Sequence, residues 1–125
     1  MLKEMKGMEY TLEVLRALHN NDTEEDEKCD SVQIYKLVVA GGRIEPSKSY
    51  IQKILPRMVK ANLLASNEKG YELNKSIDEV TVDIVLDICD MPSEGSPLYS
   101  LCDGIKKGVS LSTIDEFYDF SATEK

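Results

Sequence analysis

The chain has 125 residues, 42% of them apolar and 30% charged, with a net charge of −8; that is ordinary for one globular domain with its own core. No apolar run approaches the roughly 20 residues of a membrane span, and the N-terminal MLKEMKGMEY lacks the apolar core of a secretory leader. Three widely spaced cysteines, Cys29, Cys89 and Cys102, argue against a disulfide framework and for a reducing, cytoplasmic setting.

The first predicted helix runs from Met8 to Asn20. Met8, Leu12, Leu15 and Leu18 form a stripe at helical spacing, with Val14 beside it, and Glu9, Glu13 and Arg16 are expected to face outward. His19 is the only histidine. A cation at a helix end suits the dipole, a plainer role than catalysis. Residues 21–30, NDTEEDEKCD, read as an acidic linker, either a solvated loop or a surface for a basic partner. A second helix is expected from Ser31 to Ala40, capped by Asp30 or Ser31. Val32, Tyr35 or Lys36, and Val39 share one face, with Ile34, Leu37 and Val38 filling the remainder, although IYKLVVA also fits a strand. Gly41-Gly42 ends this element.

The stretch from Pro46 to Leu73 is the most informative. Pro46 suits a first helical turn, and Ser47 or Ser49 can cap the amides behind it. Tyr50, Ile51, Ile54, Leu55, Met58 and Val59 recur at three- and four-residue spacing, which marks a buried face. Lys48, Gln52, Lys53, Arg57 and Lys60 take the opposite side. Pro56 interrupts the pattern, so the helix is expected to kink there or to end near Leu55. Leu63 to Ser66 and Gly70 to Leu73 are short strands on either side of turn chemistry at Asn67-Glu68-Lys69-Gly70, which predicts an antiparallel hairpin. A basic helix followed at once by a small hairpin is the reading half of a winged helix, with the helix in a major groove and the hairpin on the adjacent backbone.

Asn74 to Val80 is a polar connection. Thr81 is the expected cap of a helix from Val82 to Asp90, and Met91 to Pro97 breaks the pattern. Leu98, Leu101, Cys102 and Ile105 carry a helical stripe to about Lys107. Ser110 or Ser112 opens a final turn with Ile114, Phe117, Tyr118 and Phe120 as a small aromatic cluster, and the last residues are expected to fray.

Charge is segregated along the chain. Residues 1–30 carry a net −5, residues 31–75 a net +5, and residues 76–125 a net −8. An acidic total is unusual for a protein that binds phosphate backbone. Yet the basic third is the one that patterns as a reading helix and wing. The plain alternative is chance clustering on a solvated surface. No phosphate-cradling glycine loop or Ser/His/Asp arrangement is present, so an enzyme is not expected. Asp83, Asp87 and Asp90 follow a helical surface spacing, which fits a solvated face better than a metal site.

SYIQKILPRMVKANLLAS, KGYEL and EVTVDIVLDIC together resemble the pattern of the Rrf-type family of bacterial winged-helix transcription regulators. That family includes the iron–sulfur cluster regulator and the cysteine metabolism repressor. The resemblance covers residues 47–89 and only loosely the flanks. It implies DNA binding by a homodimer, with Ser49 and Gln52 against base edges; Tyr50 matches the family too and equally fits a core-edge aromatic. Gln52 departs from the family's usual glutamate, and an amide pairs with adenine where a carboxylate accepts from cytosine. Other departures are a longer turn between Gly42 and Tyr50, a shorter wing without the family's arginine, and a short segment, Leu98 to Lys107, where relatives have a long dimer helix. Many relatives bind a two-iron cluster through three clustered cysteines. Here that triplet is missing, so no cofactor or metal is expected.

The fold expected is mainly α with a small β-hairpin, a winged helix-turn-helix. Residues 1–92 are expected to form the DNA-binding domain and residues 93–125 a C-terminal helical segment, in which the resemblance implies a dimerisation element that the short Leu98 to Lys107 stretch weakens. The expected contacts to double-stranded DNA are Arg43, Ser47, Lys48, Ser49, Tyr50, Gln52, Lys53, Arg57 and, at the wing tip, Lys69. The alternative is a protein-interaction winged helix whose acidic surface engages transcription machinery or mimics DNA.

Overall fold

The computed structural model describes residues 6–21, 29–88, 95, 113–116 and 118–121. Four helices and one hairpin are described: α1 (Lys6–His19), α2 (Ser31–Gly41), α3 (Lys48–Lys60), β1 (Leu64–Asn67), β2 (Gly70–Leu73) and α4 (Val82–Ile88). Short 3₁₀ turns lie at Ile77–Glu79 and Ile114–Glu116. The fold is a winged helix-turn-helix, as the pattern predicts.

α1 is central. It packs against α2, α3, α4 and β2. Tyr10, Val14, Leu15 and Ala17 are in the core, and Met8, Leu12 and Leu18 are half-buried against it. Glu13 and Arg16 are buried too, which corrects the outward placement expected for them. α1 packs against four other elements, so polar residues on its inward sides must pair there. Arg16 Nη2 meets Glu13 Oε1 at 3.1 Å. Thr11 is satisfied within the helix, donating to the Gly7 carbonyl at 2.7 Å.

α2 begins with a capping box. The Asp30 side chain accepts from the Gln33 amide, and the Gln33 side chain accepts from the Asp30 amide. It ends at Gly42, which adopts the left-handed conformation. The strand alternative for this stretch is not adopted. Its core residues are Ile34 and Val38, whereas Val32 and Val39 are exposed, so the helix faces the core with the side that the spacing argument treated as secondary.

Ser47 is the N-cap of α3 and accepts from the Tyr50 amide. Pro46 therefore precedes the cap rather than occupying the first turn. The helix continues through Pro56 to Lys60, so it does not end at Leu55. Proline is tolerated because it is exposed and its neighbours Ile51, Ile54, Leu55 and Met58 are all fully buried. Asn62 closes the helix in the left-handed region, at φ 64°. Its amide donates to Val59, and the Leu63 amide donates to Met58. That is a Schellman closure, with Leu63 and Met58 both at 0% exposure beneath it.

Leu64 to Asn67 pairs antiparallel with Gly70 to Leu73 in the register Leu64 with Leu73 and Asn67 with Gly70. The first strand starts one residue later than expected because Leu63 belongs to the helix closure. Cys29 adds a short third bridge, accepting from the Tyr71 amide at 2.7 Å. The far end of the chain joins the same core. Thr81 bridges Thr113, the Ile114 amide donates to Val80 at 2.9 Å, and Ile114 and Phe120 are buried. The expected aromatic cluster forms in part, with the Tyr118 and Phe120 rings 5.1 Å apart. Phe117, Cys89, Cys102 and the predicted helix from Leu98 to Lys107 lie outside the described residues.

Candidate nucleic-acid interface

From Pro46 to Asn67 the sequence contains no carboxylate side chain. α3 buries Ile51, Ile54, Leu55 and Met58, and the 3.6-residue period then turns Lys48, Ser49, Gln52, Lys53, Pro56 and Lys60 to solvent. Lys48, Ser49, Gln52 and Lys53 occupy the first two turns. This places an amide, a hydroxyl and two cations on one convex surface, the groups needed for base edges and phosphates.

The start of α3 is held from α1. The Tyr10 hydroxyl accepts from the Ser47 amide at 2.6 Å, and the Tyr10 and Tyr50 rings lie 4.5 Å apart at 56°. Ser47 Oγ and Ser49 Oγ are 2.9 Å apart. Tyr50 is half-buried, so it serves as a bridge between α1 and α3 while keeping one edge open. Lys53 Nζ lies 5.6 Å from the Tyr50 ring centroid. Lys6 Nζ lies 4.5 Å from the same centroid and 5.7 Å from that of Tyr10.

At the wing, Lys69 is exposed in the two-residue turn. Its amide donates to Asn67 Oδ1 at 2.8 Å, which fixes the turn and leaves the ammonium outward. Gly70 is required on two counts. Its φ is +135°, and an added Cβ would fall 2.4 Å from the Cys29 carbonyl oxygen.

Two of the expected contacts are engaged within the fold. Arg43 donates from Nη1 to the Asp119 carbonyl and from Nη2 to the Ser121 carbonyl. Its guanidinium also lies 3.8 Å from the Asp119 carboxylate, 4.0 Å from Glu13 and 5.6 Å from the Tyr118 ring centroid. Hydrogen bonds from the Ser121 hydroxyl and amide, and then Arg43, hold the Asp119 carboxyl below the usual range. Arg57 donates to the Ile88 carbonyl at 3.4 Å, the end of α4, where a cation also suits the helix dipole.

Two residues in this region were absent from the sequence expectation. Lys6 and Tyr10 lie one helical turn apart, which a helix predicted to start at Met8 could not show. A basic residue four before an aromatic was the available signal.

Among the described residues, no group of three His, Cys, Asp or Glu side chains could hold a metal ion. Cys29 is buried beneath the hairpin, its sulfur accepting from the Asn21 amide group, a poor fit to an exposed cluster ligand. No described helix is long and apolar enough to cross a membrane.

No family model and no curated protein matches the chain. The structure is similar to that of CymR (YrzC), the global cysteine regulator of B. subtilis. The TM-score is 0.59 at 16% identity, over 95% of this chain and 100% of that one. At that identity the likeness carries the fold. It agrees with the winged-helix architecture and with the fold of the family that the sequence resembles.

Proposed function

We propose that this protein is a DNA-binding transcription regulator of winged-helix type. α3 enters the major groove and the wing rests on the neighbouring backbone. The observation that supports this best is the solvent face of α3, where Lys48, Ser49, Gln52 and Lys53 stand together with no carboxylate between Pro46 and Asn67. The similarity to a global cysteine regulator points the same way. Gln52 reads a base, with its amide suited to adenine. Ser49 is a second candidate for base contact. Lys48, Lys53 and Lys69 neutralise phosphates. Ser47 and Tyr50 set the pose of the helix. Arg43 and Arg57 act on this interface through the fold, because both guanidiniums are engaged by backbone carbonyls. The chain acts as a homodimer on paired half-sites, in a cytoplasmic setting.

Selection of preferred duplexes from a random pool, followed by binding of Gln52→Ala, tests this assignment. The variant should lose about 1–3 kcal/mol on the selected site and little on unrelated DNA. Equal losses on both would remove Gln52 from base reading. Retention of a protein partner by variants that lose the α3 lysines, with no duplex binding by the native chain, would favour the protein-interaction alternative.

A further inference from the structure

Lys6 and Lys53 come from different helices and are brought to one aromatic ring. Their ammonium groups lie 4.5 and 5.6 Å from the Tyr50 centroid. The ring attracts each cation through its quadrupole, but the two cations repel each other. Among the described residues, neither ammonium has a carboxylate partner. The chain has 23 acidic side chains against 15 basic ones, so two cations at one ring with no carboxylate partner among the described residues are notable.

The platform beneath them is built. Tyr50 lies against Tyr10, and the Tyr10 hydroxyl holds the Ser47 amide at the start of α3. An ammonium has three donors, so a ring contact on one side leaves donors free for an anion on another. Arg43 and Arg57, by contrast, spend donors on backbone carbonyls.

We propose that Lys6 and Lys53, gathered over Tyr50, form a two-cation clamp for a single backbone phosphate of double-stranded DNA, so that α1 shares the interface with α3. This rests on the DNA-binding function proposed above. It gives Tyr10 and Tyr50 positioning roles, since the Tyr50 ring, packed on Tyr10, lies within reach of both ammonium groups.

The test is fluorescence anisotropy of the full chain on a mixed-sequence duplex across a salt series. It compares Lys6→Ala, Lys6→Arg, Lys53→Ala and the Lys6→Ala/Lys53→Ala double variant, with circular dichroism as a check on folding. Lys6→Ala should weaken binding and lower the slope of log affinity against log salt by about 0.9, the value for one phosphate. Lys6→Arg keeps the charge and should keep the slope. For one shared phosphate, the double variant should lose less than the two single losses combined. An unchanged slope for folded Lys6→Ala, beside a reduced slope for Lys53→Ala, overturns the clamp and leaves DNA binding by α3 intact. Fully additive losses overturn the shared phosphate. No duplex binding by the native chain overturns both the clamp and the proposed function.

Discussion

Glu13 has no exposed surface and gathers three partners. Arg16 meets it at 3.1 Å, Arg43 approaches to 4.0 Å, and the Tyr118 hydroxyl donates to its second oxygen. A buried ion pair contributes little net stability over an apolar isostere, but removing one partner leaves a charge where water cannot reach it. Glu13→Ala should therefore destabilise the chain by about 3–5 kcal/mol, read from urea unfolding midpoints. A loss below about 1 kcal/mol would show that Arg16 and Arg43 find other partners or water. This cluster was not legible in the sequence. Glu13 and Arg16 match an ordinary exposed pair three residues apart, and only the packing of four elements around α1 reveals that they lie inside. The α3 face was legible because Lys48, Gln52 and Lys53 interleave with an unbroken apolar stripe. Lys6 was missed because helix ends are the least determined part of a periodic pattern.

Among the elements, the hairpin is small and depends on its neighbours. Two four-residue strands are marginal on their own. This pair is anchored by Leu64 in the core and by the bridge from Cys29 to Tyr71. Gly70 lets that bridge close. Gly70→Ala imposes an unfavourable φ, with strain of order 1–3 kcal/mol, and also drives a methyl into the Cys29 backbone. The expected outcome is a lower melting temperature with early loss of amide protection at Tyr71, measured by hydrogen exchange. Unchanged protection there would mean that the wing does not need this contact. The hairpin itself was readable from its Asn67-to-Gly70 turn. The third bridge was not, because Cys29 sits at the end of an acidic stretch with no strand pattern. The segment after α4 was harder still. Ile114 and Phe120 read as part of a small aromatic cluster, but no pattern in Thr113 to Ser121 shows that they are buried in the main core or that Arg43 ties this backbone to the turn before α3.

For the whole molecule, the proposed function has to be reconciled with a net charge of −8. The distribution matters more here than the sum. The net +5 of residues 31–75 lies between two acidic flanks, so the field favours approach through one face and disfavours the others. The proposed DNA affinity should therefore depend strongly on ionic strength, because local cations must outweigh a repulsive remainder. The most direct measurement is the duplex affinity of the native chain and of Lys53→Ala across a salt series. The native chain should bind a mixed-sequence duplex at low salt, with log affinity falling linearly against log salt. Lys53→Ala should bind all sequences more weakly, with the slope reduced by about one. Native binding that ignores salt, or a Lys53→Ala variant with unchanged affinity and slope, would contradict a DNA-reading role for α3.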